Sequence, residues 1–328
     1  MLLTLLGCDR LLIGPDPATD PLTVYDYFIQ DFKRTYAVFE ARGVNPDTFG
    51  LGYHAQITPR TTDQELFRRL GELTLTLRDG HVSLASRFGR YSYGSKGPSG
   101  LDNSAVNLQQ YVVFGRPMPQ LAYRHMTEPS LGYLAVSSFE GGLTEPGDNY
   151  KRIDEAIAAF TDKKGIVIDI RGNGGGNGIN AQLIASRFAD QRRAYAQISN
   201  KNGPGPRDFT PWTSLFIGPA GPSSFSKPVV ILTNRATGSA AELFVMMMRS
   251  LPNVRVVGDT TTGTVGQPAL RELPNGWQYR ATGTRTRFPG GQTPEGTGIA
   301  PDVVVWNTTA DVAAGRDRML ETAISLLR

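Results

Sequence analysis

Cysteine, histidine and long apolar runs are all scarce in this sequence, and each scarcity excludes a class of protein. The single cysteine, Cys8, cannot form an internal disulfide, so a disulfide-stapled fold is excluded. The three histidines, His54, His81 and His125, lack the spacing of a zinc site, and we expect no bound metal. No stretch reaches about 18 uninterrupted apolar residues, so we expect no membrane-spanning helix.

The net charge of the chain is also small. The 328 residues carry a net charge of +4 and are 40% hydrophobic, which is ordinary for a globular protein with a sizeable core. The densest basic cluster, "RATGTRTR" at 280–287, alternates with small residues as an exposed strand would. We interpret it as a solvated face and expect no nucleic-acid partner, although nucleic-acid binding is the alternative.

The lone cysteine stands in "MLLTLLGC", which is similar to a bacterial lipobox. The next segment, "DRLLIGPDPATDP", has the composition of a proline-rich tether. A secretory signal needs a basic start and a longer apolar stretch than residues 1–7 provide, so an incidental cysteine is the alternative. We expect residues 1–21 to be a signal remnant and tether. Lipidated Cys8 would be the chain's only membrane contact, on the extracytoplasmic face of a bacterial cell envelope.

The rest of the chain divides by its periodicity. Residues 22–42 have a helical pattern, and a capping box at Thr62 and Glu65 opens a second helix, which predicts a helical N-terminal domain over 22–85. Residues 86–130 are predicted to be an irregular connecting segment, with a lid as one candidate role. From 131 to 328, β-branched runs alternate with helical segments at 150–160, 178–190 and 240–250. This alternation predicts an α/β core with a mostly parallel sheet, whose strand runs are "LGYLAVSSF", "GIVIDI", "PVVILTN" and "VRVVGD".

Towards its end this core has two further predicted elements. "WQYRATGTRTRF" at 277–288 is typical of an exposed strand, and residues 310–327 of a terminal helix.

The stretch "LTNRATGSAAELFVMMM" supports two interpretations of Ser239. Glu242 follows it by three residues, as in a capping box, so Ser239 could be a helix cap contributing about 1 kcal/mol. Alternatively, a serine on a tight turn between strand and helix is where acyl-transfer enzymes place a nucleophile. The stretch alone does not decide between them.

A glycine-rich loop follows the predicted strand in "GIVIDIRGNGGGNG". A dinucleotide loop would require glycine at 177 or 179, where this chain has Asn177 and Ile179, so we expect no nucleotide cofactor. Bare backbone N–H groups at the carboxyl end of a strand suit an oxyanion, although a flexible turn has the same composition.

Two smaller motifs say little alone. His81 lies in "LRDGHVSL", where Asp79 and Gly80 favour an exposed turn, and a lone histidine is more often structural than catalytic. Glu295 lies in the glycine-rich turn of "PEGTGIAPDVVV".

Together, and in this order, these motifs resemble the tail-specific, or C-terminal processing, serine peptidase family. The similar segments are "LRDGH", "GYLAVSSF", "IVIDIRGNGGG", "TGSAAELF", "VVGDTTTG" and "EGTGIAPDVVV", and the resemblance extends from about residue 22 to the C-terminus. The most similar branch uses a histidine base and includes the tricorn protease core and the repeats of interphotoreceptor retinoid-binding protein. The resemblance implies a crotonase-like α/β core preceded by a small helical N-terminal domain.

The resemblance also implies a role for particular residues of this chain. They are Ser239 as nucleophile, His81 as general base, Glu295 as the carboxylate that orients it, and the N–H groups of Gly174 or Gly175 and of Ala240 as the oxyanion hole. Glu242 matches a family position that its capping role already explains.

The identity of the base follows from an absence. Much of the family uses a lysine about two dozen residues after the serine, but this chain has Thr264 there and no lysine after Lys227. A lysine would also need its pKa lowered by about 3 units to work near neutral pH, whereas a histidine needs little adjustment. The sequence therefore favours His81.

One departure from the family affects how His81 is oriented. Gly80 stands where the tricorn-type set has a serine before the histidine. Glu295 must then act directly, through water or through another side chain, and Asp79 is a substitute candidate.

The leading hypothesis is a serine peptidase that hydrolyses exposed or unfolded polypeptides, or oligopeptides, through an acyl-enzyme and without cofactors. Only about 50 residues separate His81 from "LGYLAV", which is too few for the PDZ module of many relatives. Specificity for C-terminal tails is therefore not expected. The alternatives are an inactive binding protein for an apolar ligand on the same fold, and an esterase or amidase for small substrates.

Overall fold

A computed structural model describes residues 19–94, 106, 108–113, 120–142 and 144–328. Cys8 and most of the tether lie outside these residues, as does much of the predicted connecting segment. The described helices are α1 Pro21–Thr35, α2 Leu51–His54, α3 Asp63–Leu75, α4 Asp148–Lys151, α5 Ile153–Ala159, α6 Gly178–Ser186, α7 Ala240–Arg249, α8 Thr309–Ala313 and α9 Arg318–Leu327. The described strands are β1 Ser83–Ser86, β2 Gly89–Ser92, β3 Leu121–His125, β4 Leu131–Val136, β5 Gly165–Asp169, β6 Arg193–Asn200, β7 Thr213–Ile217, β8 Val229–Thr233, β9 Val254–Gly258, β10 Pro268–Glu272, β11 Gln278–Thr282, β12 Thr284–Arg287 and β13 Val303–Val304.

The chain forms two compact units. Of the described residues, the first unit comprises 19–93, 200–210 and 267–284, and the second comprises those within 94–199 together with 211–266 and 285–328. This division differs from the predicted domains, because two segments from the second half of the chain belong to the first unit.

Helix α1 of the first unit ends earlier than the periodicity predicted. It begins after the Asp20 cap and ends at Thr35, so the predicted helix over 22–42 is too long. The chain turns extended at Tyr36, and the Ala37 N–H donates to the Thr282 carbonyl at 2.7 Å. Helix α3 begins as predicted, since the Thr62 hydroxyl accepts the Glu65 N–H at 3.3 Å.

The first unit also contains an antiparallel sheet that the sequence did not predict. Its strand order is β10-β11-β1-β2, so strands from residues 268–282 pair beside residues 83–92. The predicted exposed strand at 277–288 divides at Gly283 into β11 and β12, and Tyr279 and Ala281 are fully buried. The prediction of exposure was therefore wrong for β11, because Phe28 and Phe32 of α1 pack their rings against Tyr279.

The second unit is built on the predicted mostly parallel sheet. Its order is β13-β9-β8-β5-β4-β3, and every neighbouring pair is parallel except β3 with β4. Alternate side chains of β5 and β8 enter two apolar clusters. One cluster includes residues of α5, α6 and α7, and the other includes residues of α9. Because the strands are parallel, the segments after β4, β5, β8 and β9 meet at one edge of the sheet, where open α/β sheets place their sites.

Several predicted elements of the second unit are shorter or interrupted. The helix over 150–160 breaks at Arg152, and the terminal helix breaks near Gly315 into α8 and α9. A second sheet, β12-β6-β7, was not predicted. On it, the guanidinium carbons of Arg285 and Arg287 lie 4.9 and 3.9 Å from the centroid of the Trp212 ring, so this basic face covers an aromatic side chain. Among the described residues, no helix is long and apolar enough to cross a membrane.

Candidate active site

The glycine loop after β5 starts from a buried ion-pair network. The Arg171 guanidinium donates to both oxygens of Asp169 at 2.9 and 2.6 Å and to Asp317 at 3.0 Å. Tyr133 also donates to Asp169, at 2.7 Å, and Asp317 caps α9. Burial raises the pKa of Tyr133 well above its ordinary value, so the phenol remains a donor. The first half of the "DIRGNGGG" motif therefore anchors the loop to α9.

Asn173 joins the glycine loop to its surroundings. Its side chain is fully buried, donates to the Val136 carbonyl at 2.9 Å and accepts the Gly175 N–H at 2.9 Å. Its backbone carbonyl accepts the Gly238 N–H at 3.0 Å. Asn173 thus links the end of β4, the glycine loop and the residue before Ser239. The sequence analysis did not single it out, although a polar residue flanked by glycines was a usable signal.

Gly175 approaches Ser239 too closely for any side chain. A Cβ at Gly175 would lie 2.6 Å from the Ser239 Cβ and 2.9 Å from the Ala240 nitrogen. Its φ of +105° is also a conformation that glycine tolerates best. The glycine loop and the serine turn therefore lie in direct contact at Gly175.

The Ser239 backbone distinguishes it from an ordinary helix cap. Asp20, Thr62, Asn177 and Thr308 cap helices with φ between −65° and −87° and ψ between 122° and 166°, and the side chain of each accepts a helix N–H. Ser239 instead has φ +56° and ψ −122°, which is strained for a residue with a side chain. Strain of this kind is kept where the surroundings enforce it, commonly at functional sites.

Ser239 and Glu242 form one half of a capping box. The Glu242 carboxylate accepts the Ser239 N–H at 3.0 Å, as a box requires. The Glu242 N–H, however, donates to the Ser239 carbonyl at 2.8 Å, and the serine hydroxyl makes no side-chain cap hydrogen bond. Ser239 is partly exposed, whereas Gly238 and Ala240 on either side of it are buried.

Glu242 is a fully buried carboxylate that accepts hydrogen bonds from several groups. Beyond the Ser239 N–H, it accepts the N–H groups of Gly263 and Thr264 at 2.7 and 2.8 Å and the Thr261 hydroxyl at 2.6 Å. Burial raises the pKa of Glu242, while these hydrogen bonds oppose the rise by favouring the charged form. One side chain therefore holds both the Ser239 backbone and the loop at 261–264.

The predicted oxyanion donors differ in availability. The Gly175 N–H is bound to Asn173, as described above. Ala240 is the first residue of α7, where the N–H has no intrahelical acceptor. Among the described residues, none accepts a hydrogen bond from the N–H of Ala240 or of Gly174, and Gly174 is exposed. Gly174 and Ala240 are therefore the available pair.

The loop after β9 contains Thr264 and is bound by the side chain of Glu295. The Thr264 hydroxyl donates to Glu242 at 3.3 Å. Glu295 is buried and accepts the N–H groups of Val265 and Gly266 at 3.1 and 2.9 Å. Glu242 and Glu295 thus bind consecutive stretches of this loop, Glu242 the N–H groups of 263–264 and Glu295 those of 265–266.

His81 and Asp79 belong to the first unit, whereas Ser239, Glu295 and the glycine loop belong to the second. His81 lies in the predicted turn and is partly exposed, but Asp79 is fully buried. Asp79 accepts the His81 backbone N–H at 2.8 Å, the Thr282 hydroxyl at 2.7 Å and the Tyr36 hydroxyl at 3.0 Å. Asp79 therefore fixes the backbone of the turn that carries His81.

The chemistry of this site is that of polar side chains and backbone donors. Across the part of the chain that the structure describes, no group of three or more His, Cys, Asp or Glu side chains could hold a metal ion.

Comparison with known proteins agrees with these observations. The chain is 26% identical over 186 residues to the carboxy-terminal processing protease CtpA of Bacillus subtilis, which covers 56% of this chain and 37% of that protein. It is 28% identical over 225 residues to the tricorn protease of Thermoplasma volcanium, covering 68% of this chain and 19% of that protein. The chain thus spans about a third or less of the length of these curated relatives.

A crystal structure from Parabacteroides merdae ATCC 43184 superposes with a TM-score of 0.80 at 29% identity, covering 94% of this chain and 97% of that one. The model of peptidase family S41 matches residues 130–305, which is more than half of the chain and includes the glycine loop, Ser239 and Glu295. The chain belongs to peptidase family S41.

Proposed function

We propose that this chain is a serine peptidase that hydrolyses exposed or unfolded polypeptides, or oligopeptides. The observation that carries the proposal is the backbone of Ser239, held at φ +56° between β8 and α7 and in contact with Gly175. A helix cap needs no such strain, and a nucleophile on a tight strand-to-helix turn commonly has it. Membership of family S41 supports the same reaction class.

In the proposed reaction, the Ser239 hydroxyl oxygen attacks the carbonyl carbon of the scissile peptide bond. His81 accepts the hydroxyl proton and later gives it to the leaving amine, and Glu295 orients the imidazole. The backbone N–H groups of Gly174 and Ala240 bind the oxyanion of the tetrahedral intermediate. A water molecule then hydrolyses the acyl-enzyme and regenerates the serine.

The decisive experiment is intact-mass spectrometry after treatment with a fluorophosphonate, on wild type, Ser239→Ala and His81→Ala. We expect a single adduct on wild type, none on Ser239→Ala, and much slower labelling of His81→Ala, because a serine is a weak nucleophile without its base. Thr264→Ser is a matched control, since it keeps a hydroxyl close to the same turn without adding a base.

The outcomes separate the competing functions. An unlabelled wild type would refute the peptidase and turn attention to ligand binding on this fold. Labelling of Ser239→Ala would show that another residue reacts. Hydrolysis of ester substrates without hydrolysis of peptides would replace the peptidase with an esterase acting through the same residues.

We also propose that Cys8 carries a lipid anchor at the extracytoplasmic face of a bacterial cell envelope. The "LLGC" sequence and the proline-rich segment after it support this location. In the native host, wild type should fractionate with membranes and Cys8→Ser should not. A wild-type protein that is fully soluble there would refute the anchor.

A further inference from the structure

Asn173 binds the N–H group of one of the two candidate donors in the glycine loop, Gly175. Its side-chain oxygen accepts the Gly175 N–H at 2.9 Å, and its amide nitrogen donates to the Val136 carbonyl at 2.9 Å. The orientation of the amide is fixed, because a flipped amide would place its NH2 group against an N–H and its oxygen against a carbonyl. Asn173 is fully buried, so water does not compete for these bonds.

This asymmetry selects one donor of the loop. The Gly175 N–H is already bound, and Gly175 is buried against the Ser239 turn. Gly174 is exposed, and none of the described residues accepts its N–H. A tetrahedral oxyanion needs a donor whose hydrogen bond is unused until the charge develops. Of the two glycines, Gly174 alone meets that requirement.

We propose that Asn173 is a positioning residue that makes the Gly174 N–H the glycine-loop donor of the oxyanion hole. The inference rests on the proposed peptidase activity. Asn173 does not touch the substrate. It acts by holding the Gly174–Gly175 peptide unit, and through its own carbonyl it also holds the Gly238 N–H beside Ser239 at 3.0 Å.

Asn173→Asp tests the role through pH. A charged aspartate still accepts the Gly175 N–H but repels the Val136 carbonyl, whereas a protonated aspartic acid can make both bonds. Since removing one oxyanion donor costs about 10²–10³-fold in kcat, we expect a misplaced donor to cost roughly 10–100-fold near neutral pH. KM should stay within about twofold, because the loss falls on the transition state. The ratio of variant kcat to wild-type kcat should rise as pH falls.

Asn177→Asp is the matched control from the same loop. The Asn177 side chain likewise accepts an N–H, from Ile179 at 3.0 Å, and donates to a carbonyl, that of Gly142 at 3.0 Å. The first of these bonds caps α6, and neither involves the Gly174–Gly175 peptide unit. Its kcat ratio to wild type should therefore be near one and independent of pH.

A second measurement identifies directly which glycine N–H binds the oxyanion. By NMR of selectively labelled protein, binding of a peptide boronate should shift the Gly174 amide strongly and the Gly175 amide weakly. In the free enzyme the Gly175 amide should be protected from hydrogen exchange, and Asn173→Ala should remove that protection.

The results separate failure of this inference from failure of the proposed function. A dominant shift at Gly175, or an Asn173→Asp variant that behaves as Asn177→Asp does, would overturn the role of Asn173 while the peptidase stands. A wild type that neither hydrolyses peptides nor reacts with fluorophosphonate would overturn both.

Discussion

Replacement of Gly175 by alanine is the sharpest test of the contact between the glycine loop and Ser239. The added Cβ would lie 2.6 Å from the Ser239 Cβ, 2.8 Å from the Gly238 carbonyl oxygen and 2.9 Å from the Ala240 nitrogen. Carbon atoms in van der Waals contact are about 3.5–4.0 Å apart, so the serine turn and the loop must separate by about 1 Å. Two of the three obstructing atoms belong to the backbone, which has no rotamer with which to retreat.

Two costs follow, one on stability and one on rate. Alanine at positive φ costs about 1–3 kcal/mol, and overpacking adds about 1–3 kcal/mol, so the free energy of unfolding should fall by about 2–6 kcal/mol. A 1 Å displacement of catalytic groups can cost about 10²-fold in rate, which corresponds to about 2.7 kcal/mol of transition-state stabilisation. We therefore expect kcat/KM to fall by at least about 10²-fold.

Gly172→Ala is the control, because it separates backbone strain from the steric clash. Gly172 lies in the same loop at φ +76°, but a Cβ there meets no atom within 4 Å. Only the strain cost should remain, about 1–3 kcal/mol of unfolding free energy, with kcat/KM changed less than about threefold. Urea unfolding and hydrolysis of a fluorogenic peptide would measure both quantities for each variant.

Equal effects of the two substitutions would refute the reasoning. If Gly175→Ala retained kcat/KM within about threefold of Gly172→Ala, the loop would not press on the serine turn as the distances require. If Gly175→Ala lost stability but labelled with fluorophosphonate at the wild-type rate, the contact would stabilise the fold without positioning the nucleophile.

Three further predictions address the base and the buried ion pairs. If His81 is the base, kcat/KM should fall on acidification near the ordinary imidazole pKa of about 6.5, and a flat profile down to about pH 5 would contradict it. Burial alone would raise the pKa of Asp31, but hydrogen bonds from Arg271 and Tyr279 lower it below its ordinary value. The charged Asp31 carboxylate therefore stabilises the fold fully above about pH 4, and this stabilisation is lost as pH falls towards the folded pKa. Urea unfolding should then show wild type and Asp31→Asn converging below about pH 4, and a difference independent of pH would refute the coupling. Arg171→Lys should cost about 3–5 kcal/mol of unfolding free energy, because a lysine cannot bridge Asp169 and Asp317 in the way the guanidinium does; unchanged urea stability would contradict this.

The parallel core was predictable because its signals are local. The strands β4, β5 and β8 are short and mostly apolar, as strands covered on both faces must be. The caps of α3 and α7 also depend on residues three positions apart, which a sequence displays directly. The helix α1 shows the limit of such signals, since its apolar periodicity continues past Thr35 while the backbone leaves to pair with Thr282.

The first unit could not be predicted in full, because its sheet depends on contacts between distant segments. Strand β1 pairs with β11 across about 195 residues of sequence, and neither strand's sequence identifies its partner. The exposure predicted for residues 277–288 failed for the same reason. The alternating pattern marks a strand, but it does not reveal which face a distant helix will cover.

The candidate site shows where local and distant information meet. "TGSAAE" predicts that a helix begins at Ser239. The structure confirms this start, and the Glu242 carboxylate accepts the Ser239 N–H. The sequence could not distinguish cap from nucleophile, because the difference lies in φ at one residue.

Two distant constraints hold that strained backbone. Glu242 binds the Ser239 N–H together with the N–H groups of Gly263 and Thr264, so a movement of the serine turn would uncouple a buried carboxylate from the loop after β9. Gly175, in the loop after β5, packs against the same turn so closely that a side chain at position 175 has no room. Leaving a buried carboxylate short of donors costs several kcal/mol, which is more than the 1–3 kcal/mol of backbone strain. The strained conformation therefore persists without a bound substrate, and Ser239, the proposed nucleophile, would be positioned before the reaction begins.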